Sequence, residues 1–148
     1  WKNGPVTDYL LIPPPPSWQD YLLLRSGAGL SPRTPEQAMA AVTNSWAFCH
    51  LQDQAGRAVA MGRVIGDGGW YFHIADIATL PAHQRRGLGG RVVDWLVAEI
   101  TVRAPDDPYI TLIADPPGQP LYRRLGFVPT DPSIGMVYRP PAQGLQEA

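Results

Sequence analysis

Residues 70–114 carry four signals whose order allows few folds. Trp70 to Leu80 has the aromatic and β-branched content of a strand. A glycine-rich stretch follows, Gly87-Leu88-Gly89-Gly90. From Arg91 onward, Val92, Val93, Leu96, Val97 and Ile100 recur at helical spacing, with Asp94, Glu99 and Arg103 on the other side. Tyr109 to Ala114 is a continuous apolar-rich run suited to a buried strand. Strand, helix and strand in that order make a right-handed parallel crossover.

Antiparallel elements precede this unit. Trp46 to Gln52 alternates like a strand, Asp53 to Arg57 reads as a hairpin loop, and Ala58 to Ile65 is the partner strand. Gly66-Asp67-Gly68-Gly69 is a second hairpin turn leading into Trp70. Upstream, Val6 to Ile12 has strand content and is stopped by Pro13 to Pro16. Ser17 offers an N-cap, with Asp20 in the first turn, for a helix carrying Leu22, Leu23 and Leu24 and ending at Ser26-Gly27 and Gly29. Thr34-Pro35-Glu36-Gln37 starts a second helix with a capping box, running to about Thr43. Downstream, Pro120 to Leu125 is a short helix capped by Gly126. Phe127 and Val128, and then Met136 to Arg139, read as short strands. No internal boundary interrupts residues 1–148, which read as a single domain.

Composition narrows the function. One cysteine, Cys49, excludes an internal disulfide and a cysteine metal cluster, so no metal is expected. Lying in a strand without an activating neighbour, it reads as a small core residue. A net charge of −1 argues against a dedicated nucleic-acid binder. No run of about 18 apolar residues suggests a membrane span. A cytoplasmic location is the expectation.

Backbone N–H groups among glycines, with a helix N-terminus behind them, make a site for a phosphate-bearing ligand. Three templates compete. A Walker loop needs Lys-Ser or Lys-Thr after its second glycine, and here Gly89 is followed by Gly90-Arg91. A dinucleotide fingerprint needs glycine where Val92 stands. The third, Gln/Arg-x-x-Gly-x-Gly/Ala, is met by Gln84-Arg85-Arg86-Gly87-Leu88-Gly89. The strand before it ends Asp76-Ile77-Ala78-Thr79-Leu80-Pro81. About thirty-five residues after the glycines comes Leu121-Tyr122-Arg123-Arg124-Leu125-Gly126-Phe127. With these segments in order, the chain resembles the GNAT acyl-CoA N-acyltransferase superfamily over roughly Trp70 to Val128.

The resemblance implies an α+β fold: a central mixed, mostly antiparallel sheet with helices on both faces and a parallel strand pair splayed at the acyl-CoA site. It implies acetyl-CoA as donor, and transfer of an acetyl group to an amine. The coenzyme pyrophosphate would rest on Gln84, Arg85, Arg86, Gly87, Leu88, Gly89 and Gly90. The pantetheine arm would pair with the backbone of Ile77, Ala78 and Thr79 like an added strand. Tyr122 would donate to the leaving sulfur, and N–H groups near Thr79 to the oxyanion. A base is needed because an amine with a pKa near ~10 must lose a proton to attack. Some members carry a glutamate six positions before the residue matching Thr79. His73 stands there, with a pKa near ~6.5 suited to the task. Asp76 and a water chain are the rivals; strict alternation puts Asp76 on the face opposite His73, Ile77 and Thr79, and a β-bulge would reverse that. Asp115 stands where many members have asparagine, which puts one pantetheine contact in doubt.

Direct attack in a ternary complex is expected over a covalent enzyme. Trp18, Tyr21 and Trp46 read as core packing ahead of a substrate wall, while the aromatic content near Trp18, Tyr21, Trp46 and Trp70 makes a small, hydrophobic amine the more attractive acceptor. A protein amine and a non-catalytic acyl-CoA-binding module stay open as alternatives. Dimers recur in the family, and nothing in the sequence picks out an interface.

Overall fold

The computed structural model describes residues 8–141. In it Ser17 caps helix α1 (Trp18–Gly27), its Oγ accepting from the Asp20 N–H at 3.1 Å. Helix α2 (Pro35–Asn44) opens on the full capping box: Thr34 Oγ1 accepts from the Gln37 N–H, and the Gln37 amide oxygen accepts from the Thr34 N–H. Two orphan donors of the first turn are thereby satisfied.

Five strands form one sheet in sequence order: β1 (Leu10–Ile12), β2 (Ala47–Gln52), β3 (Ala58–Gly66), β4 (Tyr71–Thr79) and β5 (Tyr109–Leu112). The first four are antiparallel neighbours, and β4 and β5 are parallel. Helix α3 (Leu88–Arg103) makes the crossover between them. The sheet is thus mixed and mostly antiparallel, as the order of elements predicts.

Alternation along β3 assigns the two faces. Met61 packs with Tyr21, Leu24, Ala38, Phe48 and Ala78 on the side of α1 and α2. Gly62 faces α3, where a Cβ would lie 2.5 Å from Val92 Cγ1 and 3.1 Å from Leu96 Cδ1. Its missing side chain lets the helix seat. Leu88, Val92, Val93, Leu96 and Ile100 make the buried stripe of α3.

The β3–β4 ladder slips once. Arg63 pairs with Ala75 and Met61 with Ala78, so Gly62 stands opposite both Asp76 and Ile77. This is a β-bulge, and Asp76 takes φ +57° there. The bulge overturns the alternation argument. Ile77 lies on the α3 side, beside where a Gly62 side chain would be. Asp76 reaches Arg63, Tyr21 and Arg25 on the α1 side. His73, paired with Ile65, shares that second face.

Other expectations need correction. Strand β1 begins at Leu10; Val6 and Thr7 lie outside the described residues. Helix α3 begins at Leu88, so Leu88-Gly89-Gly90 already turn as helix ahead of the apolar stripe. Strand β5 stops at Leu112 and is half-buried rather than buried, since it forms the sheet edge. Phe127-Val128 and Met136–Arg139 are not strands. Val128 and Met136 are 79% and 88% exposed, and Pro129, Pro132 and Pro140 remove ladder donors around them.

Among the described residues, contacts separate two compact units, divided between Leu112 and Ile113. The second holds a short 3₁₀ turn (Pro116–Gly118) and helix α4 (Gln119–Arg124), closed by Gly126 at φ +102°. No helix among the described residues is long and apolar enough to cross a membrane.

Candidate active site

The glycine loop leaves β4 through a 3₁₀ turn, Pro81–His83, and enters α3 at Gly87. Gly87 sits at φ +79°, a left-handed conformation that costs an L-residue about 1–2 kcal/mol. No side chain caps α3, and its first helical bond runs from the Arg91 N–H to the Gly87 carbonyl. The N–H groups of Gly87, Leu88, Gly89 and Gly90 therefore have no acceptor among the described residues. Together with the helix dipole they form an anion cradle. Leu88 is buried and pins the turn to the core. Arg85 and Arg86 are exposed beside it. Gln84 donates from Nε2 to the Thr79 carbonyl at 3.1 Å, tying the loop to the end of β4.

The β4–β5 ladder ends at Ile74 and Leu112, whereas β4 stays paired to β3 through Thr79. Past Ile74 the β5-side edge of β4 carries no strand among the described residues. That open edge includes Ile77, Ala78 and Thr79 and runs toward the glycine loop. An extended ligand with amide groups can add there as a strand would.

On the α1 face, the bulged Asp76 collects three donors. Tyr21 Oη donates to Oδ2, Arg63 Nε donates to Oδ2 at 2.8 Å, and Arg25 Nη1 donates to Oδ1 at 2.6 Å. Arg25 is fixed further by Nε and Nη2 bonds to the Ser31 carbonyl at 3.1 and 2.7 Å. Burial, then the bond to Asp76, raises the Tyr21 phenol pKa, so Tyr21 stays a donor. With its oxygens so engaged, Asp76 is poorly placed to take a substrate proton. A cavity of about 230 Å³ opens beside this cluster.

His73 lies on the same face. Its Nδ1 is 2.9 Å from Thr111 Oγ1, which also lies 3.4 Å from the Phe72 carbonyl. Thr111 thus engages Nδ1 and leaves Nε2 without a hydrogen-bond partner among the described residues. Burial, and then the Arg63 charge, lowers the His73 pKa below 6.5. The ring is neutral at pH 7 and ready to accept.

Tyr122 belongs to the second unit, on α4, with its ring edge-on to Phe127. Burial, and then the charge of Asp115, raises its pKa above 10. It is a protonated donor at neutral pH. Cys49 is fully buried, and burial pushes its thiol up to about 12. No thiolate is available there as a nucleophile.

The aromatic residues pack, as core positions would, and do not form a substrate wall. Tyr21 and Trp18 pack in the α1 core, Trp46 lies against Phe72 under the Arg103 guanidinium, and Trp70 clusters with Tyr71 and Tyr109. Sequence reasoning also missed Arg25 and Arg63. One signal was available: Arg63 is the only charged residue in β3.

A family model described as an acetyltransferase (GNAT) domain matches residues 28–136. A probable acetyltransferase from meticillin-resistant Staphylococcus aureus, known as a crystal structure, is 38% identical with a TM-score of 0.82, covering 88% of this chain and 98% of that one. Serotonin N-acetyltransferase 2, a chloroplastic protein of Oryza sativa, is 32% identical over 80% of this chain and 60% of its own length. GCN5-related N-acetyltransferase 1 of Arabidopsis thaliana, also chloroplastic, is 36% identical over 55% of this chain and 41% of its own. The chain thus spans less than two thirds of these plant relatives.

Proposed function

This chain belongs to the GNAT acetyltransferase family, and from that premise we propose that it moves an acetyl group from acetyl-CoA to the primary amine of a small molecule. The observation that carries the proposal is the pairing of an uncapped helix N-terminus with an open strand edge. The first suits a pyrophosphate, and the second suits an arm with two amides. Gly87 to Gly90 would hold the phosphates, with Arg85 and Arg86 adding positive charge. Gln84 would act through the backbone, by bracing the loop against Thr79. Ile77, Ala78 and Thr79 would pair with the arm.

In the proposed reaction the amine nitrogen attacks the thioester carbonyl carbon directly. His73 Nε2 takes the proton released from the amine, directly or through one water. Backbone N–H near Thr79 steadies the oxyanion. The C–S bond then breaks, and Tyr122 donates a hydrogen bond or its proton to the departing sulfur. The unactivated Cys49 supports direct attack over an acyl-enzyme.

Calorimetry with acetyl-CoA, followed by thiol release over an amine panel, tests the reading. Tyr122→Phe lowers kcat by about 10- to 100-fold with acetyl-CoA affinity unchanged. His73→Ala removes the acid limb of the kcat/KM profile, which in the wild type lies below pH 6.5. An unchanged kcat removes Tyr122 from the chemistry, and an unaltered acid limb removes His73. Tight binding without release from any amine would make the chain an acyl-CoA-binding module instead.

A further inference from the structure

The cavity of about 230 Å³ on the α1 face of the sheet has an unbalanced charge. Arg25, Arg33 and Arg63 line it against one carboxylate, Asp76. Arg25 is consumed: every guanidinium nitrogen bonds to Ser31 or Asp76. Arg63 is only partly used. Its Nε goes to Asp76 and its Nη1 to Ser45 Oγ at 3.2 Å, and its Nη2 has no acceptor among the described residues. Arg33 is exposed and makes no ion pair or hydrogen bond among the described residues. The cavity therefore holds fixed positive charge in excess of its carboxylate, with spare donors on two guanidinium groups.

Such a cavity attracts a small anion and disfavours a neutral aromatic guest. It is smaller than the roughly 300–1,000 Å³ of drug-sized pockets, so it suits a compact head group. Its place on the sheet adds the second half of the argument. Arg63 and the residue paired with His73, Ile65, are two apart on one face of β3. A guest whose anion meets Arg63 and Arg33 lies on the same face as His73, where the proton of an amine would be taken.

We propose that this cavity selects acceptors bearing an anionic group, a carboxylate or a phosphate, a few bonds from the amine. Arg33 and Arg63 are the specificity-determining residues, with Arg25 and Tyr21 holding Asp76, and through it Arg63, in place. The identity of the guest as an acceptor rests on the acetyl-transfer reading; binding of the anion does not.

The test compares acceptors with and without an anionic group. Thiol release is followed with O-phosphoethanolamine against ethanolamine, with alanine against alaninamide, and with serotonin as an aromatic amine that lacks an anion. At least one member bearing the anion is expected to exceed its partner by tenfold or more in kcat/KM, and the two pairs separate phosphate from carboxylate. Arg33→Gln, at an exposed site, should reduce that preference by about tenfold while leaving the KM for acetyl-CoA unchanged. Arg63→Lys should reduce it too, because lysine keeps the charge but loses the planar fork that meets Asp76 and Ser45 from separate nitrogens and leaves Nη2 for the guest. Equal or better turnover of the partners without the anionic group, or of serotonin, overturns the proposal. If no amine is acetylated, the acetyl-transfer reading fails. Calorimetry with O-phosphoethanolamine on wild type and Arg33→Gln then still decides the cavity: binding lost in the variant supports it, and none in either overturns it.

Discussion

Two glycine-rich loops of nearly the same composition, Gly66-Asp67-Gly68-Gly69 and Gly87-Leu88-Gly89-Gly90, handle their N–H groups in opposite ways. Both use a glycine in the left-handed region, Gly68 at φ +78° and Gly87 at φ +79°. In the hairpin, Asp67 Oδ1 accepts from the N–H groups of Gly69, Trp70 and Tyr71 at 2.8, 3.1 and 3.2 Å. The loop closes on an acceptor of its own. In the second loop no side chain caps the helix, and the first-turn N–H groups point at nothing within the described residues. An internal acceptor, and not the glycines, separates a structural turn from a binding loop. An unsatisfied donor cluster is kept where a ligand supplies the acceptor.

The largest effect should come from blocking the open loop. Gly89→Leu is expected to weaken acetyl-CoA binding by about 100-fold or more in calorimetry. Its melting temperature should hold or rise, because glycine in a helix costs about 0.8–1.0 kcal/mol relative to a good helix former. Unchanged affinity would break the comparison, since the loop would then be a turn like the other. Gly87→Asp sharpens it by giving the open loop a carboxylate, as the hairpin has. Repulsion of the coenzyme phosphates should cost about tenfold in affinity. Stability should move by only about 1 kcal/mol, with left-handed strain and a new cap in opposition. Asp67→Ala is the converse: a melting temperature lower by a few degrees and an unaltered affinity for acetyl-CoA. Loss of affinity there would mean that the two loops are not independent.

Much of this contrast was legible in the sequence. Both caps, the meander, the crossover helix and the glycine loop follow from local signals: Ser17, Thr34-Pro35-Glu36-Gln37, the hairpin glycines and the stripe from Val92 to Ile100. These depend on residues within a turn or two of each other. The bulge at Asp76 was an open alternative that the sequence could not decide, because a register slip is fixed by the neighbouring strand, here by Gly62 facing two residues. The Arg25–Asp76–Arg63 cluster joins residues 51 and 13 positions apart, beyond any local period. Core packing, the plainer reading of Trp18 and Tyr21, holds. The inference to a hydrophobic acceptor also drew on Trp46 and Trp70, which lie in clusters of their own. The segment from Phe127 onward misled differently: β-favouring side chains make a strand only where a partner edge exists.

The smallest expected effect tests whether the Asp67 carboxylate itself closes the hairpin. Backbone N–H groups, that of Gly69 foremost, hold its pKa below the usual 3.8. A carboxylate with a depressed folded-state pKa contributes stability that is fully present above the unfolded value and lost as pH falls through the folded one. The difference in melting temperature between wild type and Asp67→Ala should therefore be constant from about pH 5 to 8. It should shrink as pH falls below 3.8. His50 and His73 also titrate on the way down. Burial lowers both their pKa values below 6.5, so the unfolded chain binds more protons there and overall stability falls with pH. That loss is common to wild type and variant and cancels in the difference. A difference that persists unchanged at the acid end would mean that the side chain's shape, and not its charge, holds the turn. The hairpin would then differ from the loop at the start of α3 by packing rather than by owning an anion.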